Sequence, residues 1–464
     1  MPTATGESVW PPPSSPSEES QEDREARLEQ EKEAKRVSDA IDLDLNAEKE
    51  AKKKNVHGAK ILLLGQAESG KSTILKNFQL HFSPNAFHAE AEIWRPVIHL
   101  NLVRSVNFII NMLAPRSASG TTSPTLTYPL NDSIRRLFFS LAPLKSVETS
   151  LTKRISGSLS PVILDNSSTS ADSPYAHYHP AKASEISVRS GVGWKGLLKF
   201  RRQSGSSSET HSPEDIQNRR IISACADDII ALWRSPGVQE KLRQEDVFLK
   251  DQPGFFLEDI ERISKVDYLP TPDDVLRARV STIGPEEHHI PMENSLENGG
   301  NDWIIYDVGG DRSQRAAWAQ FFDDGKFNYV SLLIAFNQAL AEDETVNRLA
   351  DSMKLWRMIC SNKLLASVDL ILLLNKIDIL DAQLKAGVQF SKYVTSYRDK
   401  PNETEAVAKY LLDMFTSLHK QHSTKKRKMH PHLTCAVDTK ATAAVITHIQ
   451  ELILIKTLAQ TNII

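Results

Sequence analysis

The stretch Gly65-Gln66-Ala67-Glu68-Ser69-Gly70-Lys71-Ser72-Thr73 satisfies G-x-x-x-x-G-K-[ST]. It lies between the apolar run 60–64 and a helical pattern, which is where the mechanism of such a loop requires it. Backbone N–H groups there wrap phosphate oxygens, and the helix N-terminus adds its positive end. Lys71 would reach the β- and γ-phosphates, and the Ser72 hydroxyl would ligate Mg²⁺. A second set, Asp307-Val308-Gly309-Gly310, follows the apolar run 303–306. A carboxylate at a buried strand end holds Mg²⁺ through water. The glycines after it let a backbone N–H approach a γ-phosphate.

A third set, Asn375-Lys376-Ile377-Asp378, follows Ile371-Leu372-Leu373-Leu374. The carboxylate accepts from both N1–H and the exocyclic amine of guanine, a donor pair that adenine lacks, so the set selects GTP over ATP. The aliphatic stem of Lys376 would lie along the base. In the fourth, Thr434-Cys435-Ala436, the Ala436 N–H would bond the guanine carbonyl.

These sets need strands ending at the residues that carry them. Strand patterns fall at 60–64, 303–307, 329–336, 369–374 and 432–435, and helical patterns at 312–323, 345–361, 403–419 and 439–459. Strand–helix alternation implies an α/β fold with a mostly parallel, doubly wound sheet. Residues 89–114 alternate at helical period, with Ile93, Trp94, Val97, Ile98, Leu102, Val106 and Ile109 on one side. Helical patterns return from 216 up to Tyr268-Leu269-Pro270-Thr271-Pro272.

The remaining segments differ in composition. Residues 1–20 are Pro/Ser/Glu-rich and read as a disordered tail. Residues 21–55 are charged, with Glu/Lys pairs at helical spacing. They read either as a solvated surface helix or as a partner-binding arm. Residues 115–215 are heavy in Ser, Thr and Pro and read as a long, mostly disordered insertion. Inside it, the basic patch at Trp194, Lys195 and Leu197–Arg202 fits an acidic lipid surface or a transient helix without a partner. Lys425-Lys426-Arg427-Lys428 reads as a solvated loop, with a nuclear signal as the alternative.

The chain has 464 residues, 56 basic against 59 acidic, and a formal charge of −3, which argues against a bulk nucleic-acid binder. No uninterrupted apolar run approaches a membrane span. The N-terminus carries no secretory pattern. Cys225, Cys360 and Cys435 lie far apart, in no metal or disulfide spacing. The expectation is a soluble, cytoplasmic protein.

Together with Asp267-Tyr268-Leu269-Pro270-Thr271, Leu276-Arg277-Ala278-Arg279-Val280, Leu340-Ala341-Glu342-Asp343-Glu344 and Ser352-Met353-Lys354-Leu355-Trp356, the four sets resemble the alpha subunits of heterotrimeric G proteins. The resemblance covers about 55–114 and 220–464. It implies a Ras-like P-loop GTPase domain, 56–78 and 273–464, carrying an inserted all-helical domain, 79–272, with nucleotide between them. Residues Glu68 to Thr73 would cradle the phosphates. Arg279 matches the family's built-in arginine finger, as the general template for phosphoryl transfer describes for this family. Thr282 matches the second Mg²⁺ ligand beside Ser72. Leu276 and Arg277 flank the nucleotide, and Asp251-Gln252 fall near the helical-domain contact with it. Segment 312–323 matches the second switch, the reader of the γ-phosphate. The arm 21–54 matches the helix that binds the βγ dimer, and 439–464 the end that couples to a seven-helix receptor. Effectors complete the implied partners.

Two departures fall on the hydrolytic machinery. The family places Gln after D-V-G-G to orient the attacking water; this chain has Asp311. A carboxylate can only accept hydrogen bonds. At ~4 Å and an effective dielectric near 20, its repulsion of a phosphate charge is about 4 kcal/mol before screening. The family's Gly at the third loop position is Ala67, which places a Cβ near the γ-phosphate. The expectation is a guanine-nucleotide switch with weak GTPase activity. A nucleotide-bound scaffold that does not hydrolyse is the alternative, and a P-loop kinase or ATPase a third reading. The family's lipid anchors are not expected either: residue 2 is Pro2, the last four residues are not C-a-a-X, and Thr461 stands where some members carry Cys. Membrane contact would then come through partners or basic patches.

Overall fold

The computed structural model describes residues 60–113, 132–156, 187–189, 213–293, 303–333 and 336–460, apart from 246, 253, 284, 323–326, 341, 342, 344, 367 and 424–426, together with 32, 35–38 and 42. The chain divides into Met1–His57 and Gly58–Ile464. In the first unit Lys32, 35–38 and Asp42 are helical and exposed. The tail 1–20, most of the arm 21–55, the patch around Trp194 and Thr461 lie outside the described residues.

The second unit is built on a six-stranded sheet. Its strands are β1 (Lys60–Leu64), β2 (Glu286–Ile290), β3 (Trp303–Asp307), β4 (Phe327–Leu333), β5 (Asp369–Asn375) and β6 (Met429–Thr434). The spatial order is β2-β3-β1-β4-β5-β6. Every pairing is parallel except β2 with β3. Alternation along each strand sends side chains to two faces. Leu62, Leu64, Leu370, Leu372 and Leu374 pack with Trp356, Leu411 and Phe415 of the helices Arg348–Ser361 and Thr404–His422. Ile61, Leu63, Ile371 and Leu373 pack with Phe78 of the helix Lys71–Phe82 and with Ile446 and Ile449 of the helix Thr439–Gln460. Burial on both faces is why these strands read as continuous apolar runs. Strand β2, Glu-Glu-His-His-Ile, gave no such signal, because an antiparallel edge strand needs only partial burial.

A third core is wholly helical. It gathers Val97, Ile98, Leu102 and Val106 of the helix Arg95–Leu113 with Ile222, Ile229 and Ile260. Pro84–Leu113 is long and apolar enough to cross a membrane by length and composition, although polar and charged residues interrupt it, and its apolar side chains are largely committed to this core.

The helical core also draws on part of the stretch 115–215, which reads in the sequence as mostly disordered. Asp132–Leu141 and Leu144–Ser156 are helices, and Leu141, Leu144, Val147, Leu151 and Ile155 are buried in the core. Their three- and four-residue spacing makes one apolar stripe, hidden in the sequence by the Ser-rich flanks. Further on, Ser187–Arg189 pairs in parallel with Ser281–Ile283. The basic run 425–428 is corrected as well. Arg427 is buried, donating to the carbonyl oxygens of Ile359 and Cys360 at the end of the helix Arg348–Ser361 and of Leu365 in the turn after it. Helix ends leave unpaired carbonyls, and a cation there satisfies them.

Candidate functional site

The C-terminal ends of β1, β3, β5 and β6 converge, the usual ligand-binding edge of a parallel sheet. Leu63 is in register with Asp307, and Asn375 with Thr434. Beyond these ends a cleft of about 420 Å³ opens towards the helical core. Glu68 to Thr73, Leu276, Arg277, Arg279, Asp307, Gly310, Asp311, Asn375, Lys376, Asp378 and Ala436 all line it. Asp251 ends the turn Leu249–Asp251 and Thr282 lies in the strand Ser281–Ile283; their side chains lie outside the described residues.

The loop after β1 bends through Glu68 (φ 62) and Gly70 (φ 90) into the helix Lys71–Phe82. At Gly70 the bend and the packing both require glycine: a Cβ would stand 2.2 Å from Asn375 Nδ2. That closeness has a purpose. Asn375 Nδ2 donates to Ser69 O at 2.9 Å, while Asn375 Oδ1 accepts from Ala436 N at 3.0 Å and Thr434 Oγ1 at 3.3 Å. Asn375 therefore ties the phosphate loop to the 434–436 loop. The Ala436 N–H assigned from sequence to a guanine carbonyl donates here to Asn375. Asp378, in the first turn of the helix Ile377–Lys385, is exposed at the cleft, with the Cys435 thiol as a hydrogen-bond neighbour.

Lys71 is buried, and its Nζ donates to Gly65 O at 3.1 Å and Gln66 O at 2.7 Å. Burial pulls its ammonium down to about 8, although the carboxylates of Asp307 and Asp311 oppose this. Ser72 Oγ donates to Asp307 Oδ2 at 2.6 Å. Burial raises the Asp307 carboxyl, against Lys71 and this hydrogen bond. A hydroxyl and one carboxylate fit Mg²⁺, which usually takes few protein ligands and completes its shell with water and phosphate oxygens. Among the described residues, no cluster of three or more His, Cys, Asp or Glu could hold a metal without such help.

Glu68 is the electrostatic centre of the loop. Its oxygens pair with Arg279 Nη2 and Arg348 Nη2, each at 2.9 Å. Burial would raise the Glu68 carboxyl, but Arg279, Arg348 and Lys376 together hold it well below the usual carboxylate range. Arg279 is also gripped by its backbone: Asn101 Oδ1 accepts from Arg279 N at 2.8 Å, and Asn101 Nδ2 donates to Arg279 O at 3.1 Å. Arg277 lines the cleft, yet its guanidinium is held by Asp259 at 2.8 Å and Asp274 at 3.2 Å, over the Phe256 ring. Its role in the structure is to brace the chain before Arg279.

Asp311 precedes the 3₁₀ helix Arg312–Phe321, which occupies the predicted 312–323, and accepts from Gln314 Nε2 at 3.4 Å. Sequence reasoning missed Asn101 and Arg348. Asn101 carried one signal, a polar side chain four residues after Val97 of the apolar stripe.

The profile of the family described as G-protein alpha subunit matches residues 35–453. The chain is 29% identical to the guanine nucleotide-binding protein alpha-4 subunit of Mycosarcoma maydis, over 97% of this chain and 94% of that protein. It is 27% identical to a guanine nucleotide-binding protein subunit alpha of Coprinellus congregatus, over 91% and 94%. Against the alpha-8 subunit of Caenorhabditis elegans it is 35% identical over 48% of this chain and 58% of that protein.

Proposed function

The chain belongs to the G-protein alpha subunit family, and on that premise we propose that it is a GTP/GDP switch in receptor-coupled signalling whose hydrolytic step is slow. In this reading 56–78 and 273–464 form the Ras-like domain with its doubly wound sheet, and 79–272 the inserted helical domain. Guanine selection falls to Asp378, whose carboxylate faces the cleft, with the stem of Lys376 along the base. Glu68 to Thr73 cradle the phosphates, and Lys71 neutralises the β- and γ-phosphate oxygens. Ser72 and Thr282 would hold Mg²⁺, with Asp307 behind water. When bound, the ion neutralises charge on the phosphate oxygens.

Arg279 leaves Glu68 to meet charge developing on the transferring phosphoryl group. Asn101 holds its backbone while the guanidinium moves. The observation that carries slow hydrolysis is the position of Asp311. It lines the cleft with Lys71 and Arg279, and its charge acts on Lys71. A carboxylate there cannot donate to the γ-phosphoryl oxygens as the family's Gln does. Each ~1.4 kcal/mol lost from transition-state stabilisation is about tenfold in rate. The partners in this reading are a βγ dimer, a seven-helix receptor and an effector, met in the cytoplasm or at the cytoplasmic face of the membrane through those partners.

The test is single-turnover release of phosphate from bound GTP, on the native chain and on Asp311→Gln. The variant is expected to be about tenfold faster or more, the recovery of one charge-assisted interaction. Equal, appreciable rates in both would refute the role given to Asp311.

A further inference from the structure

Lys76 stands on the helix Lys71–Phe82, which follows the phosphate loop, and it is buried. A buried ammonium needs partners inside the protein. Nζ donates to Val275 O at 2.8 Å and to Ala278 O at 2.7 Å, and the centroid of the Trp94 ring lies 4.1 Å away. Both carbonyls belong to the end of the helix Pro272–Arg277, where unpaired carbonyls gather negative charge. A helix of six residues has little stability of its own, so its end is set by what holds it. Arg279 follows Ala278 directly.

The backbone around Arg279 is bonded throughout. Gly254 N donates to Arg277 O at 3.1 Å, and Ala278 N to Asp274 O at 2.9 Å. Lys76 takes Ala278 O, and Asn101 takes both backbone polar groups of Arg279. From the Arg277 carbonyl to the Arg279 carbonyl, each backbone donor and acceptor therefore has a protein partner. Of these partners, Lys76 is the one carried by the helix after the phosphate loop. It lies five residues beyond Lys71, about 7.5 Å along the helix axis. One rigid element thus sets the phosphate end and the arginine backbone against each other.

We propose that Lys76 is a positioning residue for hydrolysis: it fixes the backbone of Arg279 relative to the helix N-terminus that holds the phosphates, and leaves the guanidinium to pivot from Glu68. The inference rests on the reading of the cleft as a site of GTP hydrolysis, and gives the arginine of that reading its anchor. A misplacement of about 1 Å in a reacting group costs on the order of 10²-fold in rate. Arginine is long and flexible, so a fixed backbone is what limits its search.

Lys76→Met keeps the apolar stem under Trp94 and removes the donors. Folding of the full chain is checked by thermal melting, and the cleft by titration with a fluorescent GDP. Single-turnover phosphate release from bound GTP is expected to slow about tenfold or more, with GDP affinity kept within about threefold. In an Arg279→Ala background the same substitution is expected to change release by less than about threefold, because Lys76 acts through the arginine. A merely structural role would slow release equally with and without Arg279. Amide hydrogen exchange adds a readout that needs no nucleotide. The Arg279 N–H should exchange about tenfold faster in the variant, and the strand Asp369–Asn375 at the native rate. Lys76→Gln, whose amide can still donate to one carbonyl, carries the same test if the Lys76→Met chain does not fold. Unchanged release, an equal loss in both backgrounds, unchanged exchange at Arg279, or GDP affinity lowered more than about tenfold each overturns the proposal. A native chain that releases no phosphate from bound GTP overturns the hydrolytic reading, and the role of Lys76 with it.

Discussion

Asp274 is the most heavily used carboxylate in the helical part of the chain, and Asp274→Asn tests what it supports. Its side chain is fully buried. It accepts from Arg262 at 2.6 and 2.7 Å, from Tyr268 Oη at 2.8 Å, from Thr271 N at 2.9 Å and from Arg277 at 3.2 Å. With Thr271 it forms the capping box that starts the helix Pro272–Arg277, just before Arg279. Asparagine keeps the shape but removes the charge, and turns an amide towards groups that are all donors. Removing one member of a buried pair costs about 3–5 kcal/mol. Arg262 is partly solvated and keeps Asp259 as a partner, which places the cost near the lower end, about 3 kcal/mol. For a helical core melting as one unit, that is a drop in Tm of about 6–12 °C.

The pH dependence fixes the mechanism. Burial alone would raise the Asp274 carboxyl, but Arg262, the Thr271 N–H and the Tyr268 hydroxyl outweigh it and hold it well below the ordinary range. A depressed folded value means that its stabilisation is complete above the unfolded value, about 3.9, and is lost as pH falls towards the folded one. The difference in Tm between native and variant is therefore constant from neutral pH down to about pH 5 and shrinks below about pH 4. Differential scanning calorimetry across that range is the assay. A difference under about 2 °C at pH 7, or one that grows on acidification, would refute the hub.

Gly310→Ala is expected to push the Arg312–Phe321 segment off the phosphate loop, since the new Cβ would stand 2.3 Å from the Gln66–Ala67 peptide, backbone that cannot swing aside; overpacking of about 1–3 kcal/mol predicts single-turnover phosphate release slower by about tenfold or more. Fluorescent GDP titration should show affinity kept within about threefold, because the base end at Asn375 and Asp378 is not touched. Arg427→Met leaves the carbonyls of Ile359, Cys360 and Leu365 without their cation, and thermal melting should show a loss of about 2–4 kcal/mol at unchanged nucleotide affinity.

The parts of the site that the sequence made legible were those whose chemistry lies within a few adjacent residues. The phosphate loop, the Asp307 strand end and the Asp378 turn each carry their own geometry, because strand, turn and helix N-terminus follow directly in the chain. What went unread needed composition to be separated from pattern. The helices Asp132–Leu141 and Leu144–Ser156 have a regular apolar stripe, but it lies between Ser-rich flanks that dominate any average. Arg427 reads in the sequence as one more solvated cation of a basic run, since nothing local shows that a helix ends against it.

By itself, the sequence determined the strand-to-helix turns at Gly65–Thr73, Asp307–Gly310 and Asn375–Asp378 and the departure at Asp311, because periodicity and motif spacing are short-range. Only the tertiary structure decided which polar groups are spent on one another. Asn375 reaches Ser69 across 306 residues, Glu68 joins Arg279 and Arg348, and Gln66 reaches Ser352 across 286. These pairings are set by the convergence of four parallel strand ends on one edge. A hydrogen bond forms only where folding brings donor and acceptor within about 3 Å, and no local pattern encodes that meeting.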